Sequence, residues 1–152
     1  MDHDHSKRSY LASIFGCYCP RCREGKMFQN KTAIRLEKNL KLNKNCPVCG
    51  QPTEIEPGFY YGTAYVSYAL TVAISVATFV AWVVLIGMSL QDNRFIGWLI
   101  LNGLLLLVLQ PWLMRISRSL WISWFVKYDP DWRTNKIKEE ELERIIPEQM
   151  LD

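Results

Sequence analysis

The chain has 152 residues, a net charge of +3 and five cysteines. Residues 1–57 carry ten Lys/Arg against six Asp/Glu and residues 127–152 five against eight, while between Glu56 and Arg115 only Asp92 and Arg94 are charged. This excludes the dense basic run of a nucleic-acid-binding arm, and the uncharged middle, given over to a bilayer, leaves only small soluble parts.

Residues 1–16 read as a polar N-terminus followed by a short amphipathic stretch. His3 and His5 alternate with Asp2 and Asp4; a frayed terminus is preferred over a loose metal site. Tyr10, Leu11, Ala12, Ile14 and Phe15 are too few to span a membrane, but can lie on its surface or against a folded head. Residues 1–57 are hydrophilic, so no cleavable signal peptide is expected and the first spanning helix acts as its own membrane signal.

Residues 17–57 read as a zinc-ribbon-like head. Cys19-Pro20-Arg21-Cys22 and Cys46-Pro47-Val48-Cys49-Gly50 are two matching turns. Each Cys-x-x-Cys directs two sulfurs at one point, and together they supply the four thiolates that a structural zinc takes. With all four positions filled by protein, no coordination site is left for a substrate, which argues against a catalytic metal. The 23-residue gap between the pairs is longer than the usual ribbon spacing and requires a longer hairpin. Ile34 and Leu36, then Leu40 and Leu42, alternate with polar residues around a Glu37-Lys38-Asn39 turn, although Leu36 and Leu40 also fit a helix. Cys17 is left over, a spare packed cysteine in preference to an alternative ligand or reactive thiol. Arg21, Arg23 and Lys26 can lower thiol pKa values or offset the charge of a four-thiolate centre. Lys31, Arg35, Lys38, Lys41 and Lys44 form either a solvated face or a patch for anionic headgroups or an acidic partner.

Residues 58–114 read as a transmembrane hairpin with helices at about 63–88 and 95–114. Pro57-Gly58 is a break. Tyr61, Tyr65 and Tyr68 recur at helical spacing and mark the headgroup level. Ala69, Ala73, Ala77 and Ala81 form one small-residue stripe, and Ser67, Thr71, Ser75 and Thr78 are read as an adjacent one, together a packing face toward the second helix or a partner. No ionisable group lies within either span, which argues against transport. Asn102 can bond to the hydroxyl stripe, and Gln110-Pro111 should bend or loosen the second helix. Arg115 and Arg118, with the lysines of the head, place both ends in the cytoplasm by the positive-inside rule, where a reducing environment favours metal over disulfides. Residues 115–128, with Leu120, Trp121, Trp124 and Phe125, form an aromatic amphipathic helix that lies at the interface or extends the second span; Arg115, Arg118, Trp121 and Trp124 join Tyr61 and Tyr65 as interface anchors. Residues 129–152 are a charged tail, in which Ile137, Leu142, Ile145 and Ile146 make a thin apolar stripe.

The fold class expected is therefore a mainly α membrane protein: a two-helix hairpin with a small zinc-ribbon-like head and a C-terminal amphipathic helix. CPRCREGKMF at Cys19–Phe28, CPVCG at Cys46–Gly50, the Glu56–Gly62 junction, two spans and Arg115-Ile116-Ser117-Arg118-Ser119-Leu120-Trp121 resemble bacterial membrane proteins of domain-of-unknown-function family 983, the junction and spans being similar to its Bacteroidetes branch. The resemblance covers about Cys19 to Trp132. It implies the architecture and no activity; some members are encoded near cytochrome oxidase assembly genes, a hint toward respiratory-complex biogenesis. The leading expectation is a non-enzymatic adaptor or accessory subunit in the bacterial inner membrane, with one structural zinc per chain. Its partners are the lipid bilayer and a larger membrane complex or a second copy, with no nucleic acid and no small-molecule substrate. The alternatives are a membrane-tethered thiol-redox or metal-handling protein using all five cysteines and a nucleic-acid-binding zinc ribbon, against which stands the lack of interleaved aromatics.

Overall fold

The computed structural model describes residues 8–30, 32–33, 39–87 and 93–137. The expected readings of His3 and His5, of Ile34–Lys38 in the hairpin and of the tail beyond Ile137 lie outside the described residues. The elements are α1 (Tyr10–Phe15), a 3-10 turn (Phe59–Gly62), α2 (Thr63–Leu85) and α3 (Arg94–Phe125). Among the described residues there is no strand; the head is held instead by three isolated antiparallel pairings, Tyr18 with Lys26, Phe28 with Leu42 and Asn45 with Pro52.

α2 carries six valines, three threonines and one isoleucine, weak helix formers in water, beside five alanines, which are strong ones. Its length and nearly unbroken apolarity, not its propensity, are what mark it as a helix. It ends where Gly87 takes a left-handed φ of 80° and its N–H bonds to the Val83 carbonyl at 3.1 Å, the usual glycine stop. This is why the helix closes at Leu85, short of the expected Met88. Both α2 and α3 are long and apolar enough to cross a membrane, and only 0% and 11% of their most apolar stretches is buried within the molecule.

α3 has 32 residues, about 48 Å at 1.5 Å per residue, against a hydrocarbon thickness of about 30 Å. It runs through Pro111 without a break. Of the two arrangements open to residues 115–128, the chain takes the second: 115–125 simply continue α3. The last part of α3, Arg115 to Phe125, is a post on which the head sits. Met27, Phe28 and Ile55 of the head bury against Ile122 and Val126, with Met27 0% and Ile122 1% exposed.

Polar contacts fix the docking. Arg115 is buried and donates from Nε to Asn39 O (3.1 Å) and Asn39 Oδ1 (2.5 Å), and from Nη2 to Thr32 O (2.9 Å). Asn39 Nδ2 returns a bond to Pro111 O at 3.1 Å. Arg118 Nη1 donates to Leu40 O at 2.9 Å and Trp121 Nε1 to Phe59 O at 2.9 Å. A Cβ on Gly62 would enter the Trp121 ring, so glycine there permits the close approach of the α2 entrance to the post. Arg115, Arg118 and Trp121, expected as interface anchors, are thus turned onto the head and its junction, whereas Tyr61, Tyr65 and Trp124 are exposed. α1 packs on α3 through Ser13 and Ile14, leaving Leu11 and Phe15 exposed.

The two stripes on α2 are not adjacent. Ser67, Thr71 and Ser75 are offset by two residues from Ala69, Ala73 and Ala77, about 200° on a 3.6-residue helix, so these lie on nearly opposite faces. The hydroxyl face meets α3: Ser67 Oγ donates to Ser117 Oγ (2.9 Å), Thr78 Oγ1 donates to Asn102 Oδ1 (3.0 Å), and Asn102 Nδ2 donates to Ser75 Oγ (3.1 Å). Thr71 bonds back to the Tyr68 carbonyl, and Ala69, Ala73, Ala77 and Ala81 are exposed. Replacing Asn102 by leucine removes the pair of interhelical bonds and should cost about 1 kcal/mol, read as a lower unfolding midpoint of the full-length protein in detergent.

Candidate metal centre

The four knuckle cysteines converge. Each pair is set by a tight turn, with Arg23 N bonded to Cys19 O (2.8 Å) and Gly50 N to Cys46 O (2.9 Å). The residue that closes each turn is left-handed, Arg23 at φ 57° and Gly50 at φ 73°; glycine adopts this freely and arginine does so at a cost. Arg23 is held there by its contacts, Nη1 to Arg8 O at 3.0 Å and the guanidinium 4.0 Å from the Tyr128 ring centre. The turns aim backbone amides at sulfur: Cys22 N–H at Cys19, Gly25 N–H at Cys22 (3.5 Å), Cys49 N–H at Cys46 and Gln51 N–H at Cys49.

All four sulfurs lie within 4.8 Å of one another. Cys19 Sγ and Cys49 Sγ are 3.7 Å apart, as are Cys22 Sγ and Cys46 Sγ. A tetrahedral ion with metal–sulfur bonds of about 2.3 Å has sulfur–sulfur edges of about 3.8 Å, so these two cross-pairs match opposite edges of such a tetrahedron. Sulfurs in a disulfide would be about 2.05 Å apart. Cys19, Cys22 and Cys46 are buried and Cys49 half-buried. The thiols of Cys22 and Cys46 are drawn below the ordinary thiol range, Cys22 to about 6, chiefly by hydrogen bonds from Cys19. The Cys19 thiol is pushed up, first by its bonds to Cys22 and Cys46. A divalent soft ion would displace the thiol protons and satisfy all four sulfurs. The residues present fit such an ion.

Cys17 stands apart. It packs with Met27 and Phe28 in the docking core, and burial pushes its thiol up to about 11. It is therefore a neutral packed cysteine and no member of the four-thiol group.

Sequence reasoning missed the strap at residues 129–135 that follows α3. Trp132 packs against the cysteines. Buried Arg21 pairs with Asp129 at 3.5 Å and donates from Nη2 to Asn135 O at 2.7 Å, while Asp129 N bonds to Arg21 O at 3.1 Å. The Asp129-Pro130-Asp131 run signals only the end of a helix, and no local pattern points back to Arg21, more than a hundred residues earlier. A methyl added at Gly25 would collide with Cys46 Sγ. Gly25→Ala should accordingly weaken metal retention about 10- to 100-fold, the range seen when the surroundings of a metal ligand are disturbed, as measured by competition with a chromogenic chelator.

Neither the search of curated proteins nor that of solved structures returns a match. A family model described as "Protein of unknown function (DUF983)" matches residues 36–125, beginning after the first knuckle and taking in the second knuckle, both long helices and the docking residues of the post. The resemblance read from the paired knuckles and the two apolar segments is thereby borne out at the level of the family, and the chain belongs to the DUF983 family.

Proposed function

We propose that this protein is a non-catalytic adaptor or accessory subunit that crosses the bacterial inner membrane twice, with both termini in the cytoplasm and one structural zinc ion per chain. The observation that carries this reading is that the metal-binding residues are used up in holding the head together while the head is clamped to the membrane helix. Four thiols close on one point, and Arg115, Arg118 and Trp121 tie the head and the α2 junction to the post. Such a site keeps no open position for a substrate; it makes a rigid platform at a fixed height above the bilayer. Zinc is favoured among thiophilic ions because it takes four thiolates tetrahedrally and has no redox chemistry.

The membrane placement is supported by two long apolar helices with little internal burial, and by ring-bearing residues at the entrance of α2: Tyr61, Tyr65 and Tyr68 are 86%, 80% and 71% exposed, as interfacial aromatics would be. The orientation rests on the basic head and the arginines at its dock. The exposed alanine face of α2 is free to pack closely on a larger complex or a second copy. Gentle-detergent purification should yield a stable assembly larger than the single chain; a monomer under every gentle condition contradicts the adaptor role. An alkaline phosphatase reporter inserted at residues 88–92 should be active, and one fused at the C-terminus inactive; the reverse contradicts the topology.

A further inference from the structure

Between α1, the head and the flank of α3 lies a cavity of about 200 Å³. Its described polar lining is Lys26, Arg115, Asn30 and the Cys17 thiol, with no acidic residue among the described lining, and Phe15 and Trp112 stand on its apolar side. Arg115 is 6% exposed, yet no carboxylate among the described residues pairs with it. Its hydrogen bonds leave from Nε and Nη2 to neutral acceptors, and no described residue accepts from Nη1. A buried guanidinium with no counter-charge among the described residues is costly, and a second cation, Lys26, lines the same cavity. Two cations at one cavity, one a planar fork with an unused edge, suit the oxygens of a phosphate.

The height of the cavity supports the same ligand. Trp112 belongs to the apolar stretch of α3 and Arg115 is its first charge after Arg94, so the cavity opens where the spanning segment gives way to polar chain. Phe15 and Trp112, 65% and 43% exposed, give that opening an apolar wall.

We propose that this cavity is a phosphate-binding site that holds the headgroup of an anionic phospholipid, with Arg115 and Lys26 on the phosphate and Phe15 and Trp112 against the glycerol and first methylenes. The proposal rests on the membrane reading above. The test uses the full-length, metal-loaded protein in nanodiscs of equal phosphatidylglycerol and phosphatidylcholine, with retained lipids counted by native mass spectrometry. Wild type should keep phosphatidylglycerol in preference to phosphatidylcholine. Lys26→Glu, at an exposed position, should lower that retention about fivefold while metal stays at one per chain, the scale expected of a single partly exposed ion pair. Lys26→Gln should fall between the two. Equal retention of both lipids by wild type, or no change in Lys26→Glu, overturns the proposal. In a parallel arm, inorganic phosphate is titrated into delipidated protein and followed by phosphorus line broadening. Lys26-dependent phosphate binding without a lipid preference upholds the phosphate site and overturns its lipid occupant. The phosphatase reporters test the membrane reading on its own, so its failure is distinguishable from failure of this site.

Discussion

Replacing Cys46 by serine should strip the metal from the head and unfold it. Cys46 Sγ is buried and lies 3.7 Å from Cys22 Sγ, forming one edge of the cluster. A hydroxyl is a poor substitute for a thiolate toward a soft ion, and a three-sulfur remnant leaves an incomplete shell. Structural zinc in small modules contributes on the order of 10 kcal/mol at neutral pH, as much as the whole stability of an ordinary domain. The docking core is small, with Met27, Phe28, Ile55, Ile122 and Val126 at its centre, and cannot replace such a contribution. Removal of metal from the wild type by a strong chelator should have the same effect. Limited proteolysis in detergent should then cut within residues 16–57 and in the strap around Trp132, while the helical hairpin stays intact. Cleavage is expected at the strap because its bonds to Arg21 and its packing on the cysteines depend on a folded knuckle. A Cys46→Ser protein with metal content and protease resistance equal to wild type contradicts this.

Arg115→Ala should undock the head, with a cost of about 3 kcal/mol or more for the neutral acceptors left without a donor. The side chain is 6% exposed and its acceptor Asn39 is 1% exposed, so the carbonyl and amide oxygens left behind are poorly placed to find water. Thr32 O loses its donor as well, and the ring of Phe28 loses the guanidinium 4.9 Å from its centre. Arg115→Lys keeps the charge but not the fork, and should recover only part of the loss. Arg118→Ala is the informative contrast. Arg118 is half-buried and donates one hydrogen bond among the described residues, to Leu40 O, so about 1 kcal/mol is expected. Denaturant unfolding of the full-length protein in micelles, followed by metal release, measures all three. An Arg115→Ala effect no larger than that of Arg118→Ala contradicts the docking account.

The two Cys-x-x-Cys turns and the two long helices are legible in the sequence because both are local signals. Spacing within four residues sets a knuckle, and a long uncharged run sets a helix. The docking is not legible, because Arg115 meets Asn39 across 76 residues of sequence. An arginine that follows an apolar run reads as an interface anchor, and nothing nearby signals that a separate unit folds back over it. The alanine and hydroxyl stripes are both visible, yet their two-residue offset resembles adjacency along the chain while the helical period places them on opposite faces. Only the hydroxyl face, through Ser67, Ser75 and Thr78, meets α3. Arg23 shows a further limit. Gly50 announces a left-handed turn, but Arg23 adopts the same turn with only its place after Cys22 to indicate it.

A closed four-sulfur metal site is central to the proposed role, and X-ray absorption at the metal edge of the purified full-length protein tests it most directly. One zinc per chain with four sulfurs at about 2.3 Å and no nitrogen or oxygen in its shell is the expected result. A shell of mixed sulfur with nitrogen or oxygen, or a metal-free protein whose cysteines are joined in disulfides, would contradict it.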